Sequence, residues 1–228
     1  MVAPRAAAQP GNFEITLNGK QVGKADCNLV ATRDGFNSTS VVRVTTKGLD
    51  YALSRTEQLS HAGELRHVLL SAVVNNEAVT VTGALSGGQI LLAFSANGRK
   101  TTARLQAHSG AVFLPDLDPG ALQTLLALAA KRNNRGLWAI IPKQSGSIEP
   151  IVLATYPDQQ CVFDGEPVTV HHLVATIASS KFELFSGPDN QLMQAELPQE
   201  GFEIVRKGFV RQPAAPDQSP SAQQMALR

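Results

Sequence analysis

The side chains of this chain best suited to metal or nucleophilic chemistry are five histidines (His61, His67, His108, His171 and His172) and two cysteines (Cys27 and Cys161). Their spacing argues against both uses. His171 and His172 are adjacent on an expected strand, where neighbouring side chains point to opposite faces, so the pair cannot readily chelate one ion. One of them faces the interior and the other faces water. His172 is the candidate for contact with a bound ligand, and a satisfied core histidine is the plainer reading. The cysteines are too far apart in sequence for a redox pair and too few for a cysteine-built zinc site. They permit one long-range disulfide in an oxidising compartment, or two buried thiols.

The carboxylates are scattered as well. Asp116 and Asp118 flank an expected helix start, where capping explains them, and Asp158, Asp164 and Asp189 fall in expected turns. No phosphate loop, nucleophile elbow, paired-histidine metalloprotease helix, kinase set or dinucleotide fingerprint is present. "SGGQI" lies between strands and reads as a turn. "KRNNR" at 131–135 could greet a phosphate or a lipid head group, and serves equally as a solvated helix end. Asn37-Ser38-Thr39 fits a glycosylation sequon, a short and weak pattern. The expectation is therefore a protein without catalytic residues, metal or cofactor, and not an enzyme.

The elements that would position these residues are mainly strands. In "NFEITLNGK", Phe13, Ile15 and Leu17 alternate with Glu14 and Thr16, a period that puts one face in a core and the other in water. Asn18-Gly19 then supplies the two positive φ angles of a tight hairpin. Similar turn signals, among them Asp34-Gly35, Asn75-Asn76, Asn97-Gly98 and Asp164-Gly165, recur about every ten residues, as in an up-and-down antiparallel sheet. Pro150 suggests an edge or a bulge.

One segment breaks the rhythm. "DPGALQTLLALAAKRNNRG" predicts an amphipathic helix at about 119–133, with Asp118 as N-cap and Pro119 in the first turn. Leu122, Leu125, Leu126 and Ala129 share one face; Gln123, Thr124 and Lys131 lie opposite or beside it. Gly136 is the expected stop. Trp138 opens the next strand, either as a core anchor or as one wall of an apolar pocket. The fold class is therefore mainly β: a large curved antiparallel sheet, open or half-barrel, with one central helix. Leu122, Leu125, Leu126, Ala129, Trp138 and His172 are the candidate ligand-binding residues.

The chain has 228 residues, enough for one large β domain with its own core. Charged residues make up 17%, against roughly 25% in soluble domains generally. The net charge of +1 offers no bulk attraction to nucleic acid or anionic lipid. No run approaches the roughly 18 apolar residues of a membrane helix. Residues 1–11 read as a disordered N-terminus or a signal-peptide remnant, with small residues at Ala6 and Ala8. Residues 12–211 form the sheet domain, and 212–228, rich in Pro, Ala, Ser and Gln, form a disordered tail. A periplasmic or secreted location is expected, with a cytoplasmic protein as the alternative.

The opening "FEITLNGKQVG" at 13–23 and the later turns Asp164-Gly165 and Asp189-Asn190, followed by Pro198 and Arg206, resemble exported bacterial β proteins of unknown function. The order of elements is similar over most of 13–210. Those families are similar in architecture to the periplasmic lipoprotein-carrier half-barrels, in which a curved sheet wraps a helix and its concave side holds acyl chains. The resemblance implies a non-enzymatic exported protein that binds a hydrophobic small molecule or lipid. The alternative partner is an envelope protein, met through an exposed sheet edge in a structural or interaction module. Near its start the chain has no cysteine for lipid attachment, a departure from a lipoprotein.

Overall fold

A computed structural model describes residues 8–143 and 146–211. The first half is a run of hairpins: β1 (Ala8–Leu17), β2 (Lys20–Thr32), β3 (Gly35–Thr45), β4 (Asp50–Ser60), β5 (Leu65–Val74), β6 (Glu77–Ser86), β7 (Gln89–Ala96) and β8 (Arg99–Gln106). Then come β9 (Ala111–Phe113), α1 (Pro119–Lys131), β10 (Leu137–Ile141), β11 (Ser147–Phe163), β12 (Glu166–Ile177), β13 (Ser180–Ser186), β14 (Leu192–Leu197), β15 (Phe202–Arg206) and β16 (Phe209–Arg211). The alternation seen in sequence is the alternation of burial. In β3, Ser38, Ser40, Val42 and Val44 point inward while Val41, Arg43 and Thr45 point out. The hairpin turns use the expected residues: Asn18, Asn97 and Asp164 all have φ of 50–51°, each followed by a glycine at positive φ.

The strands form one mixed sheet in the order β8-β7-β6-β5-β4-β3-β2-β1-β15-β14-β13-β12-β11-β10-β9, with β16 paired to β11. The β1–β15 ladder, where Phe13 faces Arg206, joins the two halves. All pairings are antiparallel except β9–β10. A parallel pair needs a long crossover, and α1 is that crossover. This is one reason a β chain carries a helix here.

Strands β8 and β9 end opposite sides of the sheet, yet only residues 107–110 separate them. Such a link spans at most about 18 Å. The sheet must therefore curl until its two edges are neighbours, although they are not hydrogen-bonded to each other. Helix α1 lies inside the curl, against β2, β3, β14, β9 and β10.

That position changes the expected face of the helix. Gln123 and Thr124, assigned from the sequence to its polar side, are as buried as the leucines, at 1% exposure each. Gln123 donates to Asn190 O at 2.8 Å and accepts from Leu192 N at 2.7 Å. Thr124 donates to Gly120 O or Ser38 Oγ. A helix enclosed by a curled sheet buries polar residues too, and each must find a partner. The helix also stops at Lys131, ahead of the expected 133, and Asn133 and Asn134 enter the left-handed region before Gly136 does.

Two more boundaries differ. β1 begins at Ala8, inside the expected N-terminal tail of 1–11, because its backbone pairs with β2 as far as Val30; Pro10 and Gly11 hid the strand from a propensity reading. The segments "IEPIVLATYP" and "QQCVF" are one strand, β11, with a register shift between Tyr156 and Gln159 that absorbs Pro157. Pro150 sits where β11 pairs with β10 alone, before its pairing with β12 begins at Ile151. The expected leader at 1–7 and tail at 212–228 lie outside the described residues.

A second, smaller core forms on the other face of the late strands, from Cys161, Val170, Phe185, Met193 and Phe209. It exists because the chain turns after β15 and returns as β16 along β11. Arg206 stacks between the rings of Phe13 and Phe163 beside it. Cys27 belongs to the main core and Cys161 to this one, both as buried thiols, so the disulfide permitted by the sequence is not formed.

Candidate functional site

The helix is fastened to the sheet by a buried ionic network. Strict alternation in β4 carries Arg55 and Glu57 inward along with Tyr51, Leu53 and Leu59. Arg55 Nε donates to Asp118 Oδ2 at 2.6 Å, Nη1 to Glu57 Oε2 at 2.6 Å, and Nη2 to Ser38 Oγ at 2.9 Å. Asp118 in turn accepts from Gly120 N and Ala121 N as the N-cap. Glu57 accepts from Phe113 N at 3.1 Å, tying in β9. Burial works to lower the Arg55 guanidinium, but Asp118 and Glu57 outweigh it and hold it above its ordinary value. Burial pushes Glu57 upward despite Arg55 and the Phe113 amide. The side chains of Arg55, Glu57 and Asp118 have no exposure to solvent, and of the three Asp118 borders a cavity, the small one described below; the chemistry of the network is that of a clamp.

The candidate residues from the sequence separate into three places. Leu125, Leu126 and Ala129 are packed solid in the main core, at 0%, 2% and 1% exposure. Leu122 alone of the helical set reaches a cavity, a small one of about 130 Å³. Trp138 stacks on His108, with ring centres 3.9 Å apart, and anchors the outside of the core. His172 is half-buried at the border of the second core. It stacks on Phe185 at 4.7 Å, with Glu183 Oε2 at 3.3 Å from Nε2. His171 pairs instead with Asp158 at 2.9 Å, so the two histidines serve different groups. The structure thus does not assemble the six into one site.

A larger cavity, of about 740 Å³, opens where the helix does not reach. Its apolar wall comes from the inward faces of β4–β7: Leu53, Leu70, Ala72, Val79, Val81 and Phe94. Pro115, Asp116, Pro142 and Lys143 close one side, and Asn97, Arg99 and Thr101 form part of the rim. Tyr51 spans wall and rim, donating to Asp116 O at 3.0 Å. Burial, reinforced by Asp118 and Asp116, pushes its phenol well up, so it stays neutral and keeps that hydrogen bond at any physiological pH.

The geometry explains why the cavity is there. Fifteen strands at about 4.8 Å spacing give an arc of roughly 70 Å. One helix about 10 Å across covers only a fraction of that. The inward residues of β5–β7 could have been named from their alternation, but not the fact that α1 would settle over β2, β3 and β14.

Among the described residues, no group of three or more His, Cys, Asp or Glu side chains is placed to hold a metal ion, and no helix is long and apolar enough to cross a membrane. Comparison with protein-family models, with curated proteins and with solved structures finds no match.

Proposed function

We propose that this protein binds an apolar ligand, the acyl chain of a lipid or fatty acid, in the uncovered part of its concave sheet, and works as a carrier or binding protein rather than an enzyme. One observation carries this reading: a cavity of about 740 Å³ walled by the inward side chains of β4–β7. Ligand sites span roughly 300–1,000 Å³ and are mostly apolar with a few polar groups to orient the ligand. Here the polar groups are gathered at Tyr51, Asn97, Arg99, Thr101, Asp116 and Lys143, while Leu53, Leu70, Val81 and Phe94 form a continuous greasy wall. That division suits an amphiphile.

The resemblance to exported half-barrel proteins agrees with this use of a concave face, and with a periplasmic or secreted site of action. The rival reading, an envelope module that pairs through a sheet edge, has less behind it. The long free edge, β8, carries Arg99, Lys100 and Arg104, and charged edges discourage strand addition.

Native mass spectrometry of the purified protein, with displacement of a fluorescent fatty acid by unlabelled fatty acid, tests the proposal. The expected result is a bound acyl species or saturable displacement. Absence of any bound lipid together with no binding of the probe would sink it.

A further inference from the structure

The large cavity and the small one are neighbours. Both are lined by Pro115, Asp116 and Lys143, the large one from the side of β4–β7 and the small one from the side of Leu117, Leu122, Ile141, Ile177, Phe182 and Leu197. Two largely apolar compartments, the smaller one also lined by Asp118, Ser180 and Glu200, therefore meet at one proline and one ion pair, with Lys143 Nζ 2.9 Å from Asp116 Oδ1. We propose that the Asp116–Lys143 pair is a partition that sets the length of acyl chain the protein accepts. This inference rests on the acyl-binding reading above.

The two sides of the partition differ in how firmly they are held. Asp116 has a fixed backbone: Tyr51 Oη donates to its carbonyl, Leu114 N bonds Ile140 O, and Leu117 is locked in the left-handed region at φ 55°. A bulky residue holds that conformation only when its surroundings impose it. Lys143 lies on a loop, and both side chains of the pair are more than half exposed, at 64% for Lys143 and 60% for Asp116. An exposed ion pair contributes little to stability, so it can open without disturbing the fold. It still resists a methylene chain, because passing one between the two charges would strip water from both. A chain entering the large cavity thus runs along Leu53, Leu70 and Phe94 and stops at the pair. With the pair gone, the same chain continues into the compartment beside Leu122 and Ile177.

The test measures affinity for a homologous series of saturated fatty acids, capric to behenic, by displacement of a fluorescent fatty acid. Each additional buried methylene tightens binding about fourfold. In the unaltered protein the affinity should climb with length and then level off once the large cavity is full. In Asp116→Ala and Lys143→Ala the plateau should move to longer chains. In the exchanged pair, Asp116→Lys with Lys143→Asp, it should return to the original length. A plateau that stays put in all variants overturns the partition while leaving acyl binding intact. A plateau that moves in the single variants but fails to return in the exchange also overturns it, since the charges would then not be the stop. No fatty acid binding at any length in the unaltered protein overturns the functional reading, and the partition with it. Both residues are exposed, and unchanged melting temperatures confirm that each variant is folded.

Discussion

The Arg55 guanidinium and the Asp118 carboxylate meet at 2.6 Å with neither side chain exposed to solvent. This contact joins β4 to the first turn of α1 and fixes where the helix lies in the sheet. Removing one partner of a buried pair leaves an uncompensated charge. Arg55→Met should therefore cost about 3–5 kcal/mol, since it strands both Asp118 and Glu57. Asp118→Asn keeps a good N-cap but loses the charge, and should cost less, about 1.5–3 kcal/mol. Urea unfolding of both variants checks the order; equal or negligible losses would contradict the clamp.

Gly120 offers a test in which the usual sign reverses. Replacing glycine with alanine within a helix commonly stabilises it by about 0.5–1 kcal/mol. Here a Cβ on Gly120 would meet Ser40 Cβ at 2.9 Å, Arg55 Nη2 at 3.0 Å and Cys27 Cβ at 3.1 Å. Gly120→Ala should instead destabilise by about 1–3 kcal/mol as an overpacked contact. A higher melting temperature in this variant would show that α1 does not lie so close to β2 and β3.

Ala72 and Leu125 separate the cavity from the core. Ala72→Trp projects an indole into the large cavity, where there is room for it, and should weaken fatty acid binding roughly tenfold or more by excluding two or so methylenes at about 0.8 kcal/mol each. Leu125→Ala removes packing and no cavity wall. It should cost about 2–5 kcal/mol in stability with affinity unchanged. Paired measurements of unfolding and of probe displacement distinguish the two; a reversed pattern would place the ligand against the helix.

Cys27 gives a prediction in pH. Burial, with a contribution from Asp118, pushes its thiol from 9.0 up to about 12. A group whose folded value is raised favours the folded state fully below its ordinary value and loses that contribution as pH rises through the folded value. Stability should fall between pH 9 and 12, and Cys27→Ala should flatten part of the fall. In a Cys161→Ala background, Cys27 should react with Ellman's reagent at pH 8 only after unfolding. Rapid labelling of the native thiol would contradict its burial.

The sequence made much of this fold legible because its turns, its strand alternation and its helix cap are written locally. Hairpin turns such as Asn18-Gly19 and the alternation in β3 and β4 are encoded within a dozen residues, and so is the cap at Asp118. The inward register of β4 even places Arg55 and Glu57 inside, a pattern that could have been paired with Asp118 as the nearest buried opposite. What escaped depends on long-range closure. Nothing near Phe13 announces its pairing with Arg206, and nothing near Gln123 announces Leu192. The amphipathic face of α1 is real, but its wet side is only Ala127, Ala130 and Lys131 near the C-terminal end, while Gln123 and Thr124 lie under the sheet. Leu125, Leu126 and Ala129 mark where the helix packs, Leu122 reaches the small cavity, and the larger open space lies where the helix does not reach.

The link at 107–110 also has a mechanical consequence. β8 runs from Arg99, at the rim of the large cavity, away to the link, and β9 runs back from the link toward Pro115 and Asp116. The slit between the two free edges is thus tied at one end and untied at the other. The β9 side is braced by more than the chain itself: Gly110 N bonds Gly63 O, Phe113 N bonds Glu57 Oε1, and Tyr51 Oη bonds Asp116 O. A four-residue link thus sets how far apart the two ends of a sixteen-stranded sheet can stand, and lengthening it should lower the melting temperature by releasing that closure.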